Sequence, residues 1–582
     1  MAPRKTTAAA PKTAKQTTVA AKKAAAGKQS DGVKKAVAKP AAKKATSTKK
    51  STTANSKDTT KKVPVAKHAP KKTAATTMKA PKASPPAENA AASRKRKAEE
   101  DVEDDEEPKA NSSKRRKADD EAESKAPATK RPATAAKKPK VVKPKVVINH
   151  APTQRLDIYV SGEGSQGELG LGAGSGSTNA LKPRLNPNLS AADVGVVQLA
   201  VGGMHCAALT YDNKILTWGV NDEGALGRDT QWDGGLVDVD DSKSDDSTDD
   251  VELNPREATP APVEFIDLPE GTVFTQVAAG DSTTFALTDE GQVYGWGTFR
   301  GNDGILGFST STQIQRRPVL ISGMKKVTKL AAGANHVLAL CSNGTVYAWG
   351  AGQQHQLGRR IVQRSKLNGL VPREFGLPKA MIDIAAGDTH SFAIHKNGKV
   401  YTWGLNNYGQ TGIAEGAGGD EAVILHPTIV TSLQDKGKVV CIDGGQFHSI
   451  AVTEDEKCLT WGRVDGYQVG IKLNTLPDDD VIRDSRNNPK ILTMPTQVPG
   501  VDAVHAAAGT DYSIAVTSAG KAYSWGFSDG YRTGQGTDDD IEEARVMNGK
   551  AIADKKIIWA GAGGQFSVLA GEAAPVMNGV AH

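Results

Sequence analysis

Short runs of alternating hydrophobic and polar residues return at intervals between about residue 156 and residue 571. Each copy has an apolar stretch ending in small residues and glycine, a second alternating stretch, a tight turn, and a third stretch ending in Trp-Gly. Alternation with a period of two is typical of strands, and pairs such as Asn343-Gly344 and Asn397-Gly398 are typical of hairpin turns. The pattern therefore predicts repeated antiparallel units and no helical repeat.

Six copies are complete, while residues 156–172 match only the second half of a copy and residues 555–571 only the first half. Joining the two halves makes a seventh unit and removes exposed sheet edges. A period of roughly 50–65 residues without helical periodicity is typical of propeller blades. We predict an all-β fold, a seven-bladed β-propeller over residues 151–572, closed by the N- and C-terminal half-repeats.

One tryptophan ends the third stretch of every complete copy. We expect these side chains to pack between neighbouring sheets rather than to bind a ligand, because they recur once per unit. They are Trp218, Trp296, Trp349, Trp403, Trp461 and Trp525.

The first 150 residues differ from the rest in charge and composition. They hold 39 Lys and Arg against 15 Asp and Glu and no aromatic residue, which gives +24, whereas the remainder carries −16. A segment rich in Lys, Ala, Pro and Thr cannot bury enough apolar surface to offset chain entropy. We predict a disordered basic tail over residues 1–150, an acidic insertion at about 229–257 and a flexible C terminus at 573–582.

Basic clusters in the tail have the composition of nuclear import signals, and such cations also bind nucleic-acid phosphates without reading bases. We expect this tail to bind nuclear import receptors and DNA, and so to place the protein in the nucleus on chromatin. The predicted import residues are Arg94, Lys95, Arg96, Lys97, Lys114, Arg115, Arg116, Lys117, Lys130, Arg131, Lys137 and Lys138.

No phosphate-binding loop or metal-binding motif is found in the sequence. It has no GxxxxGK[ST] or HExxH, and its four cysteines form no CxxC pair. We expect buried thiols, no cofactor and no metal. We also expect no signal peptide and no membrane span, because no run of about 20 apolar residues occurs.

The repeats resemble those of the regulator of chromosome condensation family, whose founding member is the exchange factor of the small GTPase Ran, over about residues 155–570. Residues 202–205 and 221–230 read GGMH and NDEGALGRDT, and look like the family's first repeat. Residues 280–282 and 296–307 read GDS and WGTFRGNDGILG, and look like its second repeat. The resemblance implies a chromatin-bound guanine-nucleotide exchange factor that promotes GDP release from Ran and raises nuclear Ran-GTP.

The family's second repeat carries a protrusion that presses on the nucleotide site of the GTPase. Here the chain inserts residues after Trp296-Gly297 that most copies lack. Their types suit a short hairpin, with Phe299 as an apolar tip element, Arg300 as a cation, and turn formers beyond. The predicted exchange wedge comprises Thr298, Phe299, Arg300, Gly301, Asn302, Asp303 and Gly304.

The glycine-turn loops form a second predicted site. The resemblance places an important carboxylate at Asp281, and implies a second Asp where Asn335 stands and histidines where Phe447 and Phe566 stand. Four histidines recur at matching loop positions, either to face the GTPase or only to hydrogen-bond a neighbouring blade. The predicted GTPase-facing residues are Asp281, His205, Asn335, His336, His390, Phe447, His448 and Phe566.

The resemblance also implies a loop after the third full blade that touches the nucleosome at histones H2A–H2B. The matching stretch, residues 357–366, offers cations for an acidic histone surface. The predicted anchors are Arg359, Arg360 and Arg364.

Exchange needs no bond chemistry, because a protein that binds the empty GTPase more tightly weakens nucleotide binding by the same factor. We therefore expect no enzyme in the bond-making sense. The main alternative is a chromatin- and histone-binding propeller scaffold without exchange activity, which shares every feature except the wedge and Asp281. An inhibitor or photoreceptor on this fold and an enzyme in the central channel are further alternatives.

Overall fold

The computed structural model describes residues 145–174, 176–221, 223–234 and 252–574. They form seven antiparallel sheets and one separate two-stranded hairpin. Each complete sequence copy makes one sheet, and we number these blades 1 to 6 in chain order. The closing blade is the seventh.

The alternating stretches become the strands that the pattern predicts, and each blade gains a fourth, outer strand. The chain opens with β1 (Leu156–Glu163) and β2 (Asn179–Leu185). Blade 1 comprises β3 (Val196–Val201), β4 (His205–Thr210), β5 (Ile215–Gly219) and β6 (Ala261–Pro262). Blade 2 comprises β7 (Phe274–Ala279), β8 (Thr283–Thr288), β9 (Val293–Gly297) and, beyond the hairpin strands β10 (Phe299–Gly301) and β11 (Gly304–Gly307), β12 (Gln315–Leu320).

Blades 3 and 4 repeat the same order. Blade 3 comprises β13 (Val327–Ala332), β14 (His336–Cys341), β15 (Val346–Gly350) and β16 (Arg373–Glu374). Blade 4 comprises β17 (Met381–Ala386), β18 (His390–His395), β19 (Val400–Leu405) and β20 (Val423–Ile429).

Blade 5 has five strands, because an extra short strand pairs with its long outer one. It comprises β21 (Val439–Gly444), β22 (His448–Thr453), β23 (Lys457–Arg463), β24 (Val481–Arg483) and β25 (Pro489–Asp502). Blade 6 comprises β26 (His505–Ala508), β27 (Tyr512–Val516), β28 (Ala522–Gly526) and β29 (Ile541–Val546), and the chain ends with β30 (Ile557–Ala562) and β31 (Phe566–Glu572). The described residues also include a one-turn helix, α1 (Pro255–Ala258), and short 3-10 turns such as Gln363–Leu370.

The two ends of the chain close the ring. The closing blade has the order β2-β1-β31-β30, and β1 pairs with β31 from Leu156 opposite Glu572 to Gly162 opposite Phe566. This pairing confirms the predicted seven-bladed ring closed by the two half-repeats. Within the described chain, no helix is long and apolar enough to cross a membrane.

The repeated tryptophans lie in the core between blades, as expected, with at most 1% of each exposed. Trp218 Nε1 donates to the carbonyl of Glu168 at 2.9 Å, and Trp296 Nε1 to that of Ala225 at 2.7 Å. Gly227, at φ 65°, allows this approach, since a Cβ there would lie 2.8 Å from Trp296 Nε1. Trp403, Trp461 and Trp525 donate in the same way, so five of the six indole rings both fill a core and fix the loop of the preceding blade.

Alternate strands run in opposite directions, so two kinds of loop share each end of the ring. The glycine-turn loops after the first strands and the loops after the third strands share one end, which we call the upper face. The two-residue turns, such as Asn343-Gly344, share the opposite end, which we call the lower face.

Folded structure begins earlier than the tail boundary predicted at residue 150. Ile148 N donates to Asp289 O at 2.7 Å, and Asn149 Nδ2 donates to Thr288 O at 2.9 Å and to Val327 O at 2.8 Å. Residues 145–150 thus belong to the propeller, because their backbone and amide groups are satisfied by blades 2 and 3. The remaining predicted tail, the middle of the acidic insertion and residues 575–582 lie outside the described residues.

Candidate functional site

A hairpin rises from the upper face of blade 2, where the exchange wedge is predicted. Strands β10 and β11 pair with Gly301 opposite Gly304, so Asn302 and Asp303 form its turn. Both turn residues are exposed. Gly304 adopts φ 101°, a conformation that favours glycine and lets the chain reverse in this short space.

Phe299 is not the apolar tip that the sequence predicted. Its side chain is 0% exposed and packs between the rings of Phe285 and Phe308, with centroids at 6.2 and 6.3 Å. Thr298 is also buried, and its hydroxyl donates to Gln313 O at 2.6 Å. These two residues root the hairpin in the core, and the exposed apolar side chain of the hairpin is Ile305, 39% exposed.

The neighbouring blades hold the hairpin from both sides. On the blade 1 side, Arg300 forms an ion pair with Glu223, whose side chain is buried. On the blade 3 side, Asn335 Oδ1 accepts from Arg300 N at 2.7 Å, and Gln353 Oε1 accepts from Asn302 N at 2.7 Å.

The turn is held from the same side through its carboxylate. Asp303 accepts from Gln363 Nε2 at 2.8 Å and forms an ion pair with Lys366 at 2.9 Å. This pairing lowers the pKa of Asp303. The hairpin is therefore a fixed projection with polar groups at its turn.

Asp281 lies beside the hairpin, exposed on the glycine-turn loop of the same blade. Its backbone N donates to Ala334 O at 2.9 Å, and one carboxylate oxygen accepts from Asn335 Nδ2 at 3.3 Å. The surrounding loops reduce the hydration of the Asp281 carboxylate and so raise its pKa, while the charge of Arg300 and the hydrogen bond from Asn335 oppose that rise. Asn335 thus joins the carboxylate to the hairpin.

The four predicted histidines do not face a partner. Each is 0% exposed, so His205, His336, His390 and His448 cannot touch a GTPase on the upper face. Their Nε2 atoms instead meet a hydroxyl of the next blade, as in His336 to Ser391 at 2.7 Å and His390 to Ser449 at 2.8 Å. Burial lowers the pKa of His205 and His448 to about 4, and that of His336 and His390 to about 3. The four histidines are therefore neutral side chains that link neighbouring blades by hydrogen bonds.

Phe566 does not face the GTPase either, contrary to the prediction, because its side chain is 0% exposed. It fills the position in the closing blade that histidine holds in other blades. Tyr512 fills that position in blade 6, and its hydroxyl donates to Phe566 O at 2.5 Å. Phe447 is half-buried, directly before His448, and its ring lies 4.6 Å from that of Tyr408. Of the predicted aromatic positions, Phe447 alone presents surface to the upper face.

The predicted nucleosome anchors divide in the same way. Arg359 donates to Ala348 O at 2.9 Å and to Val371 O at 3.3 Å, and burial lowers its pKa to about 10. It therefore supports its own loop and is not a free anchor. Arg360 and Arg364 are exposed. Their loop lies on the upper face against the hairpin, since Lys366 holds Asp303.

A central channel of about 530 Å³ runs between the inner strands. Burial raises the pKa of Asp388 to about 8 and that of Asp443 to about 7, and Asp281 adds to the shift of Asp388. Among the described residues, no group of three or more His, Cys, Asp or Glu is placed to hold a metal. The predicted import clusters lie outside the described residues.

Five residues at the hairpin were missed by the sequence analysis: Ile305, Glu223, Gln353, Gln363 and Lys366. Glu223 and Gln353 follow Trp-Gly at similar distances in blades 1 and 3, and no sequence motif joins their loops to the hairpin. Ile305 was signalled only by its position after the turn.

Comparisons with known proteins agree with this architecture. The family model described as RCC1-like domain matches residues 157–569. The guanine nucleotide exchange factor SRM1 of Saccharomyces cerevisiae is 40% identical over 428 residues, which cover 72% of this chain and 88% of SRM1.

Two solved structures are similar in fold and sequence. One is Prp20p from Saccharomyces cerevisiae, described with its binding properties to Gsp1p and histones: TM-score 0.67, 38% identity, 73% of this chain and 94% of Prp20p. The other is Kap60 bound to yeast RCC1 (Prp20): TM-score 0.67, 36% identity, 77% of this chain and 97% of the matched chain. With a seven-bladed ring, a rooted hairpin on blade 2 and a family match over the whole propeller, the chain belongs to the RCC1-like, regulator of chromosome condensation family.

Proposed function

We propose that the protein is a guanine-nucleotide exchange factor for Ran that acts while bound to chromatin. The observation that carries this proposal is the rigid hairpin beside Asp281, in a chain 40% identical to the exchange factor SRM1. A scaffold without exchange activity would not need a projection held from two neighbouring blades.

Exchange by this site rests on differential binding. The GTPase holds its nucleotide through phosphate-binding amides, a lysine and Mg²⁺. A surface that fits only the nucleotide-free form lowers nucleotide affinity by the factor by which it prefers that form. A 10⁵-fold effect needs about 7 kcal/mol of such preference.

The upper face divides this work. We propose that the exposed turn of the hairpin, Asn302 to Ile305, displaces the part of the GTPase that holds the nucleotide. Asp281, beside the hairpin, would accept hydrogen bonds from the GTPase. Phe447, on the other side of the propeller's upper face, would add contact area. The surrounding loops would bind the rest of the GTPase, because about 7 kcal/mol exceeds what one turn of two exposed polar residues supplies.

The test is release of fluorescent GDP from purified Ran. Asp281→Asn should slow release at least tenfold, because an amide cannot replace a charge-assisted acceptor, and the thermal unfolding midpoint should stay within 1–2 °C, as roughly expected for a surface change. Asp267→Asn, on an exposed loop of the lower face, is the matched control. Release at the wild-type rate by Asp281→Asn would contradict the site assignment, and no release by the wild type would contradict the function.

For chromatin, we propose that the tail cations bind DNA and a nuclear import receptor, and that Arg360 and Arg364 touch an acidic histone surface. Two solved structures of one relative support this in outline, since Prp20p was described with its binding properties to histones and was crystallised with Kap60. Because the loop that carries both arginines contacts the hairpin through Gln363 and Lys366, histones and the GTPase would compete for the upper face. The tail cations would then hold the protein on chromatin during exchange.

A further inference from the structure

Among the residues that the structure describes, no strand lies next to the backbone groups along one edge of the hairpin. Strand β10 pairs with β11 on one side only, in a separate two-stranded sheet. A two-stranded hairpin alone is only marginally stable in water. The position of this projection therefore depends on what its other edge meets.

That edge meets side chains of blade 3 in place of a strand. Arg300 N and Asn302 N point outward two residues apart, the spacing of successive outward groups on a strand. Asn335 Oδ1 takes the first at 2.7 Å and Gln353 Oε1 takes the second at 2.7 Å. Two side-chain amides thus stand where the carbonyls of a third strand would be.

Gln353 is the partner nearest the turn. Its Oε1 lies 2.5 Å from where a Cβ on Gly301 would be, so the absence of a side chain at Gly301 lets it approach. Its Nε2 donates to Gln363 Oε1 at 3.3 Å, and Gln363 Nε2 donates to Asp303 at 2.8 Å. One glutamine therefore connects both turn residues to blade 3.

We propose that Gln353 is a positioning residue for nucleotide exchange, which sets the angle of the hairpin without itself displacing nucleotide. The inference rests on the proposed exchange function. If the hairpin turn acts by fitting only the nucleotide-free GTPase, looseness at Asn302 lowers the fit in that state more than in the loaded state. The maximal rate then falls while initial binding is retained.

The variant Gln353→Ala tests this in the full-length protein with Ran loaded with fluorescent GDP. We expect kcat to fall about fivefold, the factor that one hydrogen bond of ordinary net strength represents, and KM to change less than twofold. Gln353→Glu keeps an acceptor for Asn302 N and should return kcat to within twofold of wild type. Gln354→Ala, at the next position, is the matched control, because the Gln354 side chain takes no part in the contacts described between blade 3 and the hairpin.

A second readout needs no GTPase. Hydrogen–deuterium exchange of peptides covering residues 298–306 should be faster in Gln353→Ala and normal in Gln353→Glu. Wild-type kcat in Gln353→Ala, or a rise in KM with kcat unchanged, would overturn the proposal. If the wild-type protein itself releases no GDP, the exchange function fails first, while the deuterium result still reports whether Gln353 holds the hairpin.

Discussion

Replacing Phe299 by alanine tests whether its side chain supports the hairpin from the core or acts as an exposed residue at the hairpin turn. The side chain is 0% exposed and fills the space between Phe285 and Phe308, and one of its ring carbons would lie 3.0 Å from a Cβ on Gly350. Phe299→Ala therefore leaves a cavity between blades 2 and 3. Removing a buried phenylalanine side chain costs about 3–5 kcal/mol, from lost burial together with the cavity.

The expected change in unfolding temperature depends on the number of residues in the propeller. A propeller of roughly 420 residues has an unfolding entropy of about 0.9 kcal/mol/K, at about 2.1 cal/mol/K per residue, so the midpoint should fall by about 3–6 °C. The paired variant is Ile305→Ala, which removes the exposed apolar group of the hairpin. Its stability should change by less than about 0.5 kcal/mol.

Two measurements on the same samples decide the matter: thermal unfolding by circular dichroism and release of fluorescent GDP from Ran. Ile305→Ala should slow release with no change in midpoint, whereas Phe299→Ala should lower the midpoint and slow release because the hairpin loses its root. An unchanged midpoint in Phe299→Ala, or normal release by Ile305→Ala, would refute these assignments.

Three further outcomes follow from the described contacts. Burial holds the pKa of His390 at about 3, below the 6.5 of the unfolded chain, so the unfolded state gains a proton first as pH falls and stability is lost from about pH 6.5 downward. His390→Gln should lessen that loss by about 1.4 kcal/mol per pH unit between pH 6 and 4, as measured by urea unfolding at each pH. An unchanged dependence of the free energy of unfolding on pH would contradict a neutral His390 in the folded protein. Arg359→Ala should destabilise the propeller in thermal unfolding, whereas Arg360→Ala with Arg364→Ala should leave the unfolding midpoint unchanged and weaken pull-down of histones H2A–H2B. Glu223→Gln should slow GDP release, since the hairpin arginine loses its charged partner, and wild-type release would contradict this role.

The ring and its closure could be predicted because the sequence signals for strands and turns are local and repeated. Alternation, hairpin pairs such as Asn343-Gly344 and the periodic Trp-Gly each fix a strand or turn within a few residues. The two half-repeats needed only to be counted. The family resemblance then located the hairpin and Asp281 from a short distinctive segment.

Burial within the site could not be predicted in the same way. Phe299 follows Thr298 and precedes polar turn residues, which is typical of a tip, but the side chains of Phe285 and Phe308 enclose it. The recurring histidines were ambiguous because their partners are distant, as with His336 and Ser391, which lie 55 positions apart. Gln353 contacts Asn302 across two blades, and no sequence motif joins them.

The pairing of β1 with β31 also has a consequence for how the chain folds as it is made. The first strand of the ring leaves the ribosome about 400 residues before its partner, which at about 5–20 residues per second means roughly 20–80 s of waiting. During that time one edge of β1 is an open template for other strands. Closure of the propeller is therefore a late event at the end of synthesis, even though each of blades 1 to 6 is built from consecutive strands. Until β31 is made, the open edge of β1 is a site where the nascent chain can aggregate.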